Sequence, residues 1–399
     1  MTRGTPRRVV TVIQSPIYSG AHNEMARLEA HYRAAGWSST VILPDQPGDA
    51  AARLRAVGVD VVQLPLHRLR ATRDPRNVPA LFATMPSETA AVARVMKDRG
   101  ADVARAIGIV HPHAALAGRR LDIAVVWQAT DLVAPGPLRA LLMPFVVRLS
   151  NGMLFNGRTL LREHSRWARI VVPHAAYFPP VDVDLLRPDA ARRARSRAAL
   201  GVGADELLVG TVANLNPDKG LEYLVGAAEL VTARSSSVRF VVVGAEYPNH
   251  AGYAVSLRDA VARAGMDDGR FRFLGPRSDI EEVYAALDLM AISSVSEGTT
   301  TTALEAMASG IPIVATDVGA VHEVVTDGVT GRLVPGHDAA ALADALLALA
   351  ADPGQRSRLG AAGRDRAVRR FDARLCADVH IRLFEAALRH HERRGAARP

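Results

Sequence analysis

Residues 287–315 read LDLMAISSVSEGTTTTALEAMASGIPIVA, and the pattern of this segment indicates the fold class of the chain. An apolar run at 287–292 precedes a threonine-rich segment, an Ala/Leu-rich segment and a second apolar run at 313–315. Short, almost continuous apolar runs are typical of parallel strands that are buried on both faces. We therefore predict a strand, a helix and a second parallel strand, which is the repeating unit of a doubly wound α/β sheet.

The same alternation extends over most of the chain and halts once, at residues 178–182, where two consecutive prolines predict a linker. Two Rossmann-like domains in series are therefore predicted. The predicted strands are residues 8–14, 40–43, 59–64, 107–110, 123–127, 153–155 and 170–172, then 207–212, 238–243, 271–274, 287–292, 313–315 and 332–334. Helices are predicted at 221–233, 280–286 and 339–350, the last after Asp338 as N-cap, and residues 362–394 indicate one or two amphipathic helices.

Composition excludes several classes of protein. The chain has 399 residues, and its longest apolar run, near 140–147, is interrupted by Pro144 and is far shorter than the roughly 20 residues of a membrane span. The opening residues MTRGTPRRVVTVIQ indicate a first strand rather than a secretory leader. Cys376 is the single cysteine, so neither an intrachain disulfide nor a cysteine metal cluster is expected. We expect a cytoplasmic protein, or one peripheral at the inner membrane surface.

Charge is distributed unevenly between the two halves. Residues 1–180 hold 23 basic and 12 acidic residues, and the remainder holds 26 and 29. A basic half attracts anions such as nucleic acid, a phospholipid surface or a phosphorylated substrate. Because 47 of the 49 cations are arginine, a general enrichment of the chain in arginine explains the basic first half equally well. No nucleic-acid-binding motif is present, so nucleic acid is not expected. The basic run at 67–76 is either a solvated loop or a site for a phospholipid surface or an anionic glycan.

The loop after the first predicted strand contains Ser19, Gly20 and Ala21 and leads into a helix. Backbone N–H groups at such a helix start can bind an anion or a substrate hydroxyl. The loop lacks the G-x-G-x-x-G spacing of dinucleotide sites, so a nicotinamide enzyme loses most of its support. An ordinary turn is an equal interpretation.

Lys219 and Gly220 follow the strand predicted at 207–212 and precede the next helix. A cation at a helix start opposes the helix dipole, so the lysine is either a surface accident or the partner of an anion such as a diphosphate. Lys219 is one of only two lysines in the chain, the other being Lys97, so this position is exceptional in an arginine-rich sequence.

Two glutamates flank the threonine-rich segment at 299–302. Glu297 lies in the loop before the predicted helix, and Glu305 lies roughly one turn inside it. Free N–H groups at a threonine-rich helix start can hold phosphate, and the two carboxylates are placed to accept hydrogen bonds from sugar and ribose hydroxyls. The alternative is that Glu305 pairs with an arginine across its own domain.

These segments, taken in order, resemble the donor domain of retaining GT-B glycosyltransferases, particularly glycosyltransferase family 4 (group 1). The matching motifs are VANLNPDKG, FLGPRSDIEEVYAALD, SEGTTTTALEAMASGIPIVATDVGAVHEVV and DGVTGRLVP, all within residues 207–337. The resemblance implies an α/β protein of GT-B fold, with two Rossmann-like doubly wound parallel-sheet domains facing a central cleft. Residues 1–180 would bind the acceptor and 181–372 the nucleotide sugar, with a C-terminal helix at 373–399 packing back on the N-terminal domain.

The resemblance also implies roles for single residues. Glu305 would hold the ribose hydroxyls, Glu297 the hydroxyls of the transferred sugar, and Lys219 the diphosphate, with the loop 276–280 cradling the base. His113 would lie near the reacting sugar, although an ordinary core or surface histidine is an alternative. The implied catalytic residues are His113, Lys219 and Glu297. The implied donor-binding residues are Asn214, Lys219, Gly220, Arg277, Ile280, Glu297, Gly298, Thr299, Thr300, Thr301 and Glu305, and the acceptor or phosphate loop is Ser19, Gly20 and Ala21.

The chain departs from the family pattern at two places. Asn214 stands where many members have an arginine facing the diphosphate, and Thr299 and Thr300 replace a large residue and a proline. The expected reaction is retaining transfer from a UDP- or GDP-sugar to a hydroxyl acceptor, with no cofactor and no metal. The acceptor is expected to be a glycan, a lipid-linked molecule or a small molecule, and an anionic or lipid-linked acceptor is one option. The alternatives are a sugar-nucleotide epimerase, a phosphorylase of the same fold, or a non-catalytic nucleotide-sugar-binding subunit.

Overall fold

The computed structural model describes residues 6–67, 77–130 and 134–396, and the side chains of residues 77–82 are outside the description. The chain divides into two compact units. The first is formed by Met1–Pro180 together with Ala373–Pro399, and the second by Val181–Asp372.

The first unit is built on a parallel sheet that has seven strands among the described residues, in the order β3-β2-β1-β4-β5-β6-β7. The strands are β1 (Arg7–Val12), β2 (Trp37–Pro44), β3 (Asp60–Leu64), β4 (Val103–Ile107), β5 (Ala124–Ala129), β6 (Gly152–Asn156) and β7 (His174–Tyr177). The helices are α1 (Gly20–Ala34), α2 (Ala50–Ala56), α3 (Asn77–Asp98), α4 (His113–Arg120), α5 (Gly136–Leu149) and α6 (Arg158–Ser165), followed at the end of the chain by α15 (Ala373–Ala396).

Helices cover both faces of this sheet. One apolar cluster joins the sheet to α1, α2 and α15, and another joins it to α3, α4, α5 and α6. Coverage of both faces explains why the strands are almost entirely apolar, as parallel strands in such sheets are.

The second unit has a parallel sheet of six strands within its described residues, in the order β10-β9-β8-β11-β12-β13. The strands are β8 (Leu207–Val212), β9 (Val238–Val243), β10 (Phe271–Gly275), β11 (Leu289–Ile292), β12 (Ile313–Thr316) and β13 (Gly331–Val334). The helices are α7 (Ala190–Ala199), α8 (Leu221–Thr232), α9 (Ala251–Arg263), α10 (Ile280–Ala286), α11 (Thr301–Ala308), α12 (Val321–Val324), α13 (Ala339–Ala351) and α14 (Pro353–Arg370), with short 3-10 turns at Pro217–Lys219 and Pro248–His250.

Both sheets confirm the predicted fold class, since each has the strand order of a doubly wound Rossmann-like domain. The predicted N-cap is also confirmed, because the Asp338 carboxylate accepts a hydrogen bond of 2.9 Å from the backbone N–H of Ala341. The basic run predicted at 67–76 lies outside the described residues except for His67.

Two predicted strands are wrong. Residues 107–110 were expected to form the fourth strand, but β4 runs over Val103–Ile107 and contains Arg105, which is fully buried. Arg105 is tolerated there because its guanidinium bonds to Glu24 and Gln128 in the core. The last strand of this sheet is β7 at His174–Tyr177 rather than 170–172; it is an edge strand, and half-buried edges carry a weaker apolar signal.

Candidate functional site

The second sheet reverses its strand order between β8 and β11, which are neighbours although they are far apart in the chain. Ligands of such sheets bind beyond the carboxyl ends of the strands at this reversal. The loops that leave β8 and β11 at this point carry Lys219 and Glu297. The sheet therefore brings these two predicted residues together.

Gly220 allows the two loops to touch. Its φ is +54°, and a Cβ atom at this position would lie 2.3 Å from the carbonyl oxygen of Ser293, so only glycine fits without displacement. The Ser293 hydroxyl donates to the carbonyl oxygen of Lys219 at 3.0 Å, and the Val295 N–H donates to the carbonyl oxygen of Asp218 at 2.9 Å. These bonds fix the backbone from which the Lys219 side chain leaves.

Lys219 and Glu297 form an ion pair at the reversal. The Nζ of Lys219 lies 2.7 Å from Oε1 of Glu297, and the Ser294 hydroxyl donates to the same oxygen at 2.7 Å. The Lys219 side chain is 30% exposed and that of Glu297 is 9% exposed, so the ammonium remains open to solvent while the carboxylate is nearly enclosed. Gly319 (φ +57°) crowds the Glu297 backbone, since a Cβ there would lie 1.8 Å from its carbonyl oxygen.

Helix α11 begins beside this pair. Thr300 is its N-cap residue in an extended conformation, and its side chain makes no capping hydrogen bond; instead its Oγ1 lies 3.2 Å from Oγ1 of Thr302. Gly298 and Thr299 form the turn that leads into the helix, and Thr301 is its first residue. The amino end of α11, where N–H groups and the helix dipole favour an anion, thus follows Glu297 by only a few residues.

Glu305 lies inside α11 and is buried, with 5% of the residue exposed. The hydroxyl of Tyr284, itself buried in α10, donates to Oε2 of Glu305 at 2.8 Å. A tyrosine from the neighbouring element therefore orients this carboxylate. The motif alone did not indicate Tyr284.

Asn214 has a structural task in the same loop region. Its Oδ1 accepts from the backbone N–H of Ala245 at 3.0 Å, and its Nδ2 donates to the Tyr247 hydroxyl at 2.9 Å. These contacts tie the loop after β8 to the loop after β9.

Arg277 and Ile280, the remaining predicted donor residues, lie at the start of α10, where Ile280 is the first helical residue. Arg277 forms a two-pronged ion pair with Asp279, at 2.8 Å from Nε to Oδ1 and 2.5 Å from Nη2 to Oδ2. Hydrogen bonds from Arg277 hold the pKa of Asp279 below its usual range. The guanidinium is thus paired with a carboxylate two residues away.

In the first unit, the predicted loop Ser19, Gly20 and Ala21 begins α1. Ser19 is the N-cap residue, and His22 closes a capping box: its Nδ1 accepts from the Ser19 backbone N–H at 3.1 Å. Its Nε2 lies 3.0 Å from the carbonyl oxygen of Ser15. Burial lowers the pKa of His22 to about 4. The prediction missed His22, although the spacing from Ser19 is that of a capping box.

His113 is the first residue of α4 and is buried. Its Nδ1 lies 3.0 Å from Nε2 of Gln14, and its Nε2 lies 3.0 Å from Oε2 of Glu88 at ion-pair distance but without hydrogen-bond geometry. The other oxygen of Glu88 lies 2.5 Å from Nδ1 of His67, which is half exposed. Burial lowers the pKa of His113, against the opposing charge of Glu88.

This chain of contacts runs from the surface at His67 to the core at Gln14. The prediction included His113 but missed Gln14 and Glu88, which lie 99 and 25 positions away in the chain, as the residue numbers show. No local sequence signal marks these two residues, because glutamate is common in helices and their burial depends on the packing of distant segments.

Within the described residues, no group of three or more His, Cys, Asp or Glu side chains is arranged to hold a metal ion. In the same part of the chain, none of the helices combines the length and the apolar character that crossing a bilayer requires.

Residues 206–352 match the family described as Glycosyl transferases group 1. A D-inositol 3-phosphate glycosyltransferase of Kribbella flavida is 35% identical over 214 residues, which cover 52% of this chain and 50% of that protein. The protein of the same description from Mycobacterium bovis is 39% identical over 205 residues, covering 49% of this chain and 40% of the relative. The chain thus spans half or less of the length of these curated relatives.

Solved structures match over almost the whole chain. HepE of Anabaena, in complex with UDP, aligns with a TM-score of 0.79 and 22% identity, covering 95% of this chain and 100% of that one. Sucrose-phosphate synthase of Thermosynechococcus elongatus aligns with a TM-score of 0.76 and 21% identity, covering 95% and 98%. At these identities the likeness concerns the fold, which is GT-B. Residues 206–352 are therefore similar to the Glycosyl transferases group 1 family, in a chain that has the GT-B fold.

Proposed function

We propose that this protein is a retaining glycosyltransferase that moves a sugar from a UDP- or GDP-sugar to a hydroxyl acceptor, without a metal ion. The observation that carries the proposal is the Lys219–Glu297 pair at the strand reversal of a group 1 domain, beside the amino end of α11. A cation and a helix start suit a diphosphate, and carboxylates suit sugar hydroxyls.

In the proposed reaction, the bond between the anomeric carbon and the β-phosphate oxygen breaks, and the acceptor oxygen bonds to the same face of that carbon. The acceptor proton passes to an oxygen of the departing diphosphate. Charge grows on the diphosphate as the bond breaks, so fixed positive groups aimed there lower the barrier most. Lys219 and the first N–H groups of α11 have this role in the proposal.

The other residues position the donor. Glu297 accepts hydrogen bonds from hydroxyls of the transferred sugar, and Glu305, oriented by Tyr284, accepts from the ribose. The backbone at 276–280 lies beside the base. His113 is proposed to act near the reacting sugar through its place at the start of α4, although both of its ring nitrogens face protein groups in this structure.

A thermal-melt panel with UDP, GDP, ADP and dTDP and their common sugars tests the donor site. A ligand at about 100 times its dissociation constant adds about 2.7 kcal/mol to the stability of the folded state. We expect a shift with one nucleotide, which Glu305→Gln reduces. HepE is described with UDP, so UDP is the first nucleotide to test. No shift with any nucleotide would contradict the proposal.

Acceptor dependence separates transfer from the alternatives. Because the curated relatives are described as acting on D-inositol 3-phosphate, that compound is the first acceptor to test with the donor the panel identifies. Turnover without any acceptor would indicate an epimerase, and turnover that needs inorganic phosphate would indicate a phosphorylase. Anomeric configuration of the product, measured by NMR, tests retention, and addition of EDTA tests the absence of a metal.

A further inference from the structure

The first sheet also reverses its strand order, between β1 and β4. Ligands of doubly wound sheets bind beyond the carboxyl ends of the strands at such a reversal. Two polar side chains lie here: Gln14 follows β1 by two residues, and His113 ends the loop that leaves β4. Both are buried, with 4% of Gln14 and 1% of His113 exposed. The reversal therefore places an amide and a histidine beneath a candidate ligand site of the first unit.

Glu88 of α3 connects this histidine to the surface. Its Oε2 lies 3.0 Å from Nε2 of His113, and its Oε1 lies 2.5 Å from Nδ1 of His67. The backbone N–H of His67 also donates to Oε2 at 3.2 Å. Glu88 is 4% exposed, whereas the side chain of His67 is 56% exposed. We call His67, Glu88 and His113 the His–Glu–His chain.

The contacts define the charges within this chain. Burial opposes a charge on Glu88, but hydrogen bonds from Thr84 and His67 outweigh it and hold the pKa of this carboxyl below its usual value. Burial lowers the pKa of His113; among the described residues, the titratable groups whose charge acts on this ring are Glu88 and His67. The ring is therefore neutral beside an ionised carboxylate. Its Nδ1 accepts from the Gln14 amide nitrogen at 3.0 Å, so its proton is on Nε2 and faces Glu88.

The stability of the unit does not explain this arrangement. Within the described residues, Oε1 of Gln14 and Nε2 of His113 are buried without a hydrogen bond, which destabilises a folded state. A buried carboxylate between two histidines also contributes less to folding than apolar side chains of the same size would. Catalytic hydrogen bonds are commonly misaligned in this way before a substrate binds. A task at the strand reversal accounts for the His–Glu–His chain better.

We propose that Glu88 is a positioning residue: it holds the His113 ring in one orientation with the proton on Nε2, and His67 holds Glu88 in place. For catalysis this inference rests on the proposed function, in which His113 acts near the reacting sugar. Positive charge grows on that sugar as its bond to the diphosphate breaks. A neutral ring backed by a carboxylate favours this charge, whereas an imidazolium would oppose it.

The position of the ring proton can be measured without any substrate. Long-range proton–nitrogen correlation NMR spectra of the full chain, with its 13 histidines isotopically labelled and His113→Gln for assignment, distinguish a proton on Nε2 from one on Nδ1. We expect Nε2–H in the wild type and a mixture of the two forms in Glu88→Gln. His113 should also titrate at lower pH in Glu88→Gln, because the charge that favours the protonated ring is gone. An unchanged His113 signal would overturn the proposal.

Turnover with the identified donor and acceptor measures the catalytic consequence. Glu88→Gln should lower kcat about 10²-fold, the usual cost of a misplaced group, with little change in KM. His67→Ala should lower kcat less, and His67→Gln, which still donates to the carboxylate, should recover most of that loss. A merely structural role predicts a lower melting temperature with kcat of the folded enzyme unchanged, and that result would also overturn the proposal.

Glu163→Gln and His174→Ala are the matched controls. Glu163 is a helix glutamate of the same unit that lies 2.8 Å from Arg166, and His174 is an exposed histidine of β7. Both variants should leave the His113 signal and kcat unchanged, and thermal melts check that every variant folds. Should Glu88→Gln not fold, the two His67 variants carry the same test. If the wild type transfers no sugar, the proposed function fails, and the His113 spectra still decide whether Glu88 positions the ring.

Discussion

Single substitutions of Lys219 and Glu297 distinguish a donor-binding site from an ion pair that only holds two loops together. The variants are Lys219→Met, which removes the ammonium, and Glu297→Gln, which keeps the shape of the side chain and removes its charge. Both delete the same 2.7 Å ion pair. An ion pair that only holds the loops together predicts that they have the same consequences, whereas a donor site predicts opposite effects on nucleotide affinity.

The structure sets the size of the effect on stability. Lys219 is partly exposed, and exposed ion pairs contribute about 0 to 1 kcal/mol to folding. After Lys219→Met, the nearly enclosed Glu297 keeps its hydrogen bond from Ser294, so we expect a loss of about 1 to 2 kcal/mol in the free energy of unfolding. The fold should survive both exchanges.

Effects on the ligand should be larger and should differ in sign. Lys219→Met removes the cation that is proposed to face the diphosphate and should weaken binding of the nucleoside diphosphate about tenfold, or 1.4 kcal/mol. It should lower kcat about 10²-fold, the usual size for one preorganised charge contact. Glu297→Gln should bind the free diphosphate as tightly as the wild type or more tightly, because a competing negative charge is gone, while losing sugar transfer.

Isothermal titration with UDP and GDP measures the affinities, urea unfolding measures the stabilities, and turnover with the identified donor gives kcat. Equal losses of affinity in the two variants would refute the reasoning, since the pair would then act only by holding the loops together.

Three further predictions follow from the described contacts. Tyr284→Phe should keep the fold at a cost of about 1 kcal/mol and weaken nucleoside binding through Glu305, measured by titration against the free nucleoside. Gly220→Ala should lower the free energy of unfolding by about 1 to 2 kcal/mol or more, because φ is +54° and its Cβ would meet the Ser293 carbonyl; an unchanged melt would contradict this. For His22, burial lowers the pKa to about 4 in the folded state, so from about pH 6.5 down to 4 the unfolded chain binds the extra proton and stability falls as pH falls, by up to about 1.4 kcal/mol per pH unit; urea unfolding of His22→Gln should show a flatter profile.

Most of the fold could be predicted because both sheets are buried on both faces. Each strand of such a sheet is a run of apolar residues, which can be recognised in the sequence. The strand β4 shows the limit of that rule. Arg105 interrupts its apolar pattern. The buried guanidinium is stabilised by hydrogen bonds to Glu24 and Gln128, which are too far away in the sequence for a prediction from neighbouring residues to include them. Residues 109 and 110 are apolar for a different reason, as they pack in the loop after the strand.

The residues of the candidate site could be predicted from the sequence, but the contacts between them could not. The spacing of Glu297 and Glu305 marks a loop and the helix behind it, and a helix start is a local property. The distance from Lys219 to Glu297 depends on Gly220 fitting under Ser293, a contact between segments more than 70 positions apart. Such close approaches of backbone are set by the order of strands in the sheet, which composition does not encode.

The position of Lys219 explains why a glutamate should be its partner before any donor binds. The lysine lies two residues before the first residue of α8 and near the start of α11, and a cation at the amino end of a helix is disfavoured by the helix dipole. Glu297 offsets this in the free protein at 2.7 Å. In the proposed reaction the diphosphate replaces Glu297 as the ion-pair partner of Lys219. It also interacts favourably with the amino ends of α8 and α11. The Glu297 carboxylate is then free to bind hydroxyls of the sugar. Asn214 is consistent with this exchange of partners. Its side-chain amide is hydrogen-bonded to Ala245 and Tyr247, and because it is neutral it offers Glu297 no second cation to pair with.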